Sequence, residues 1–79
     1  MTNIEKYNQA FVDAFDIDEK DAESMEFNKS EGWDSVGQMK LVAAFEDAFD
    51  IMLETEDIIG INSYNKGKEV LSEKYDIKF

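Results

Sequence analysis

The stretch DSVGQMKLVAAFEDAFD, residues 34–50, decides how this chain folds. On a wheel of about 100° per residue, Leu41, Val42, Phe45 and Phe49 fall together, the stripe of a core-facing helix. Val36, Met39 and Ala43 fall on the opposite side, among Glu46, Asp47 and Asp50. An apolar strip ringed by acids on a solvent face has the form of a partner-docking surface. Single exposed apolar residues are also ordinary on any protein, so on the wheel alone both readings stand. The helix is expected to open at Asp34 or Ser35 and to run to about Asp50.

Towards the N-terminus, Thr2 followed by Glu5 forms a capping box. Ile4, Tyr7, Phe11, Ala14 and Phe15 then recur at helical spacing, which predicts a first helix ending near Phe15. From Asp16 to Asp34 no period persists. So long a connection in so short a chain is usually functional or mobile. Ile17, Phe27 and Trp33 are its candidate anchors, and DEKDAES (18–24) its candidate helical turn. Its aspartates do not make a calcium loop: counted from Asp16, Asp21 stands where glycine is needed and Phe27 where the bidentate glutamate belongs.

Towards the C-terminus, a short helix is expected from Thr55, as N-cap, to Gly60 as its stop. Asn62 or Ser63 caps a last helix that turns Tyr64, Val70, Leu71 and Tyr75 inward. Gly67 weakens that helix by about 1 kcal/mol against alanine. The fold class is therefore all-α: a small four-helix bundle, three main helices and one short, with a long loop between helices one and two. Residues 1–79 are expected to form one domain.

Composition narrows the chemistry. A core built from 79 residues rarely supplies more than about 3–5 kcal/mol, so the fold must be simple and locally consistent. There is no cysteine and no histidine, hence no disulfide, no thiolate metal site, no thiol nucleophile and no imidazole base. No apolar run approaches the roughly 20 residues of a membrane span, and the first residues lack a secretory-leader pattern. A cytoplasmic monomer without membrane insertion is the simplest expectation. Residues 1–61 carry sixteen acids and four lysines, a net −12, whereas residues 62–79 carry three acids and four lysines, a net +1. Such a surface repels nucleic acid and is steered towards basic protein surfaces. Mutual repulsion is expected to raise carboxylate pKa values, so that salt and mild acidification both stabilise.

Ser35 is the remaining chemical feature. Serine and aspartate both favour helix starts, so capping is one reading of its hydroxyl. Self-activated hydrolysis is not, because there is no histidine and no G-x-S-x-G. The other reading is modification by a separate enzyme, since a helix N-terminus favours an attached phosphate.

Taken together, the acidic helical pattern, the long first loop, Asp34-Ser35-Val36 and the following LVAAFEDAFDI resemble an acyl or peptidyl carrier protein. Asp57-Ile58 in the short helix and Ile61-Asn62-Ser63 before the last extend the likeness over essentially the whole chain. The family signature is Asp-Ser-Leu, with valine here as a conservative variant. The resemblance implies that Ser35 receives 4′-phosphopantetheine from coenzyme A through a magnesium-dependent phosphopantetheinyl transferase. It implies that Asp34 helps organise that complex, and that the protein is a thioester carrier rather than an enzyme. Val36, Met39 and Ala43 match the family's apolar docking positions, with Glu46 and Asp47 beside them. The implied partners are the transferase, an acyl- or aminoacyl-loading ligase and a downstream transferase or synthase.

Carriers of fatty-acid synthesis usually have acids where this chain has Gly37 and Lys40. Trp33 before the motif looks more like stand-alone carriers of specialised biosynthetic pathways. The reading from another class is an unmodified acidic interaction module for a basic protein partner, which explains the charge but leaves the serine without a role.

Overall fold

The first helix, α1 (Asn3–Phe15), begins at the predicted capping box. The Thr2 hydroxyl accepts the Glu5 N–H at 3.3 Å, and the Glu5 carboxylate accepts the Thr2 N–H at 2.9 Å. The computed structural model describes residues 1–79. After α1 come a 3-10 helix (Glu19–Ser24), α2 (Ser35–Phe49), α3 (Thr55–Gly60) and α4 (Tyr64–Lys74). The expected all-α bundle of three longer helices and one short one is what forms, with the 3-10 helix inside the long loop. α1 and α2 both end on an aspartate in the left-handed conformation, Asp16 at φ 56° and Asp50 at φ 54°, a region that Asp tolerates better than most residues.

Aromatic packing fills the space between α1, α2 and α4. The Tyr7 and Phe45 rings stack at 5.0 Å, Phe11 meets Trp33 edge-on at 5.5 Å, and Tyr64 lies edge-on to Tyr7 at 5.0 Å. Such pairs contribute about 0.5–1.5 kcal/mol each beyond the area they bury. Tyr7, Phe11, Phe45, Leu41 and Leu71 are fully buried. Leu41, Val42 and Phe45 thus lie where the wheel puts them. Phe49, at the end of α2, is only half-buried and meets the Phe79 ring at 6.3 Å.

The long loop is pinned rather than loose. Trp33 is 1% exposed, and Ala22 and Met25 are buried, while Ile17 and Phe27 pack half-buried on the core. The Phe27 N–H donates to the Asn62 carbonyl at 2.9 Å, and Glu26 pairs with Ser63 in an isolated antiparallel bridge. That bridge ties the loop to the joint between α3 and α4.

One boundary differs from the sequence expectation and two are sharpened within it. Thr55 is the first residue of α3, not its cap; Glu54 precedes it and makes no side-chain capping bond. Gly60 is the last residue of α3 rather than the residue beyond it. Ser63, not Asn62, caps α4, accepting the Lys66 N–H at 3.1 Å. No helix is long and apolar enough to cross a membrane.

Candidate functional site

Trp33, locked into the core, fixes where the chain enters α2. Gly32, at φ 86°, turns the backbone so that its carbonyl lies against the first turn of the helix. A Cβ at Gly37 would fall 1.9 Å from that carbonyl oxygen and 2.9 Å from a Phe15 ring carbon. Gly37 is therefore a close-approach position where no side chain fits. Its reading as a missing surface acid is corrected accordingly: the residue is buried and its Cβ position is filled by backbone.

Asp34 caps α2, its Oδ1 accepting the Gly37 N–H at 2.9 Å. That bond is the main reason its carboxyl titrates below the usual aspartate range, and the charge of Lys40 adds to the effect. The capping reading of the serine gives way here. Ser35 is the first helical residue, exposed, with the cap already supplied by its neighbour. Its hydroxyl is presented to solvent at the amino end of a helix, where amide groups and the helix dipole favour an attached phosphate.

Beside Ser35 lies a cleft of about 320 Å³ between α2, α3 and the long loop. Phe27, Met39, Ile58, Ile59 and Ile61 make it apolar. Gln38 lies across its floor. The Gln38 amide donates to the carbonyls of Ile58 at 2.6 Å and Ile61 at 2.9 Å, and its own carbonyl accepts the Trp33 indole N–H. Only 8% of Gln38 is exposed, and its polar atoms are satisfied. Neither the cleft nor Gln38 emerges from the sequence reading. The available signal was a polar residue on the core-facing side of α2, between the directions of Phe45 and Val42.

The other expected site residues distribute unevenly. Val36 is 66% and Met39 57% exposed, and Ala43 is exposed as well. Glu46 is half-buried and accepts the Leu53 N–H at 3.0 Å, so it holds the loop between α2 and α3. Asp47 is exposed but lies on the α1 side of α2, in a groove with Lys6 and Asp13. Besides the two chain ends, two exposed apolar residues were missed: Ile59 on α3, 76% exposed, and Met52 before it, 85% exposed. No cluster of acidic side chains is placed to hold a metal ion.

A family model described as the phosphopantetheine attachment site matches residues 9–66, a span running from within α1 to the first turn of α4. Neither a curated protein nor a solved structure gives a match.

Proposed function

The chain belongs to the phosphopantetheine-attachment family, and from that premise we propose that Ser35 carries the cofactor and that the loaded group is acyl or aminoacyl. The protein is a carrier, not an enzyme, and its cofactor is a covalently attached 4′-phosphopantetheine. The observation that carries the assignment to Ser35 is its exposed hydroxyl on the first turn of α2, freed from capping by Asp34. The residues there suit the group. The helix end accommodates its phosphate, and the apolar cleft lies beside the point of attachment. When attached, the group supplies a thiol that this cysteine-free chain lacks.

The chain's own part is presentation. Asp34, held ionised by its hydrogen bond to Gly37, stands next to the hydroxyl and is proposed to help orient the transferase and its magnesium. Val36, Met39 and Ala43 form the apolar contact, with Asp50 as an exposed acid at the end of the same helix and Asp47 at its margin towards α1. A partner with an apolar patch rimmed by lysine or arginine complements that face, since charge complementarity sets encounter rate and excludes wrong partners. The phosphopantetheinyl transferase, the loading ligase and the downstream transferase or synthase are proposed to dock there in turn. Lys40 breaks the acidic character of the face one turn after Ser35, which supports service in a dedicated pathway rather than in bulk fatty-acid synthesis.

Intact mass after incubation with coenzyme A and a broad-specificity phosphopantetheinyl transferase tests the assignment. The wild type is expected to gain one phosphopantetheine, and Ser35→Ala none, with its helical circular dichroism unchanged. Labelling retained by Ser35→Ala would move the site elsewhere. A wild type that takes no label would favour the unmodified interaction module.

A further inference from the structure

The cleft beside Ser35 ends at a polar barrier. Behind Gln38 lie Trp33, Leu41 and Phe45, none more than 1% exposed. An apolar cargo moving from the cleft into that core must part α2 from α3. Gln38 joins them: its amide bonds to the backbone at Ile58 and Ile61, while its carbonyl holds the Trp33 indole. A hydrocarbon has no donor or acceptor with which to replace those three bonds, and buried polar groups stripped of partners are strongly disfavoured. The interior on the far side is occupied by aromatic rings in contact, Tyr7 with Phe45 and Phe11 with both Trp33 and Phe45. The cleft itself, at about 320 Å³, lies at the small end of the roughly 300–1,000 Å³ range of ligand pockets.

We propose that Gln38 determines which cargo this carrier shelters: it bolts the bundle shut, so that only a short or compact group is covered, within the cleft, and a long acyl chain stays outside the core. The proposal rests on attachment at Ser35, and the two are separable by experiment. Mass spectrometry first establishes that acetyl-, butanoyl-, octanoyl- and dodecanoyl-phosphopantetheine are each joined to the protein at Ser35. An absent adduct refutes the attachment, not the bolt. Melting temperature and the emission of Trp33, the only tryptophan, are then recorded for each loaded form. The expected result is a rise in melting temperature from acetyl to butanoyl that stops there, with Trp33 emission the same in all four. In Gln38→Met, similar in length but without the amide, melting temperature is expected to keep rising to dodecanoyl and Trp33 emission to shift with chain length. Trp33→Phe, which removes one of the three bonds, serves as a second opened variant read by melting temperature alone. A wild type whose melting temperature climbs steadily to dodecanoyl, with Trp33 emission shifting in step, would overturn the proposal whatever the variants do.

Discussion

At Gly67 a Cβ would lie 2.2 Å from the Tyr7 hydroxyl oxygen, the atom that donates to the Tyr64 carbonyl at 2.6 Å. A residue poorly suited to a helix interior stands in α4 because a tyrosine of α1 passes there. Gly67→Ala gains about 1 kcal/mol of helix propensity, but overpacking a close contact typically costs about 1–3 kcal/mol and occasionally more. Urea titration is therefore expected to show net destabilisation. The loss should be much smaller in a Tyr7→Phe background, which removes the crowded oxygen. Equal losses in both backgrounds would assign the crowding to Ile61 and the Tyr7 ring carbon, each 3.3 Å away, rather than to the hydroxyl. Lys40 is the opposite case, an exposed side chain whose replacement moves stability by no more than about 0.5 kcal/mol. Lys40→Glu is expected to raise turnover of the acyl-loaded carrier by fatty-acid elongation enzymes. Unchanged turnover, or a wild type already as good as a housekeeping carrier, would end the dedicated-pathway reading. The single substitution is the clean test, because an acid at Gly37 meets the Gly32 backbone.

Among the elements, α3 depends most on its neighbours, since a helix of six residues does not persist alone. Asp57, buried within it, accepts the Tyr75 hydroxyl at 2.6 Å and pairs with Lys74 at 2.7 Å. Tyr75 in turn accepts the Glu54 N–H at 3.0 Å, just before α3 begins. Lys74 is the main cause that holds the Asp57 carboxyl below its usual range, with Tyr75 next. A folded-state pKa below the unfolded value contributes stability that is present above the unfolded value and lost as pH falls through the folded one. The clamp should therefore weaken below about pH 4, the ordinary aspartate value. The melting temperature of the wild type is expected to fall there, and the fall to be shallower in Asp57→Asn, which starts lower at neutral pH. Parallel curves would show that α3 is held by other contacts. Lys74 gives the mirror case: its pKa is raised, chiefly by Asp57, so its share is lost only in strongly alkaline solution.

Across the whole molecule the charge is hardly neutralised by pairing. Ion pairs form at Lys29–Glu26, Lys66–Glu69 and Lys74–Asp57, against nineteen acids in the chain. The first two are exposed and of the kind that contributes little. Raising salt from about 10 mM to about 150 mM shortens the screening length from about 30 Å to about 8 Å. The melting temperature is expected to rise by several degrees, as about 1 kcal/mol corresponds to about 4–8 °C in a domain this small. A melting temperature independent of salt would contradict the repulsion argument. The expected gain on mild acidification finds no support in the fold. Glu5, Asp34 and Asp57, whose titration is clearly moved, all shift downwards, held by the Thr2 backbone, the Gly37 N–H and Lys74 respectively. Local hydrogen bonds outweigh the diffuse repulsion at these sites.

What residues 1–79 determine by themselves is what short-range physics controls. The capping box at Thr2, the stripe of Leu41, Val42 and Phe45, and the isolated Asp34-Ser35-Val36 at a helix start depend on neighbours a few positions away. The all-α class and the candidate serine follow from them. The tertiary structure decides whatever depends on residues distant in the chain. Gly37 is glycine because Gly32 and Phe15 cross it, and Gly67 because Tyr7 does. Gln38 is buried because its partners come from the long loop and from α3, about twenty residues onward. The cleft beside Ser35 exists only where those three segments meet. A periodic pattern reports which way a side chain points, but not which backbone group will be there to receive it.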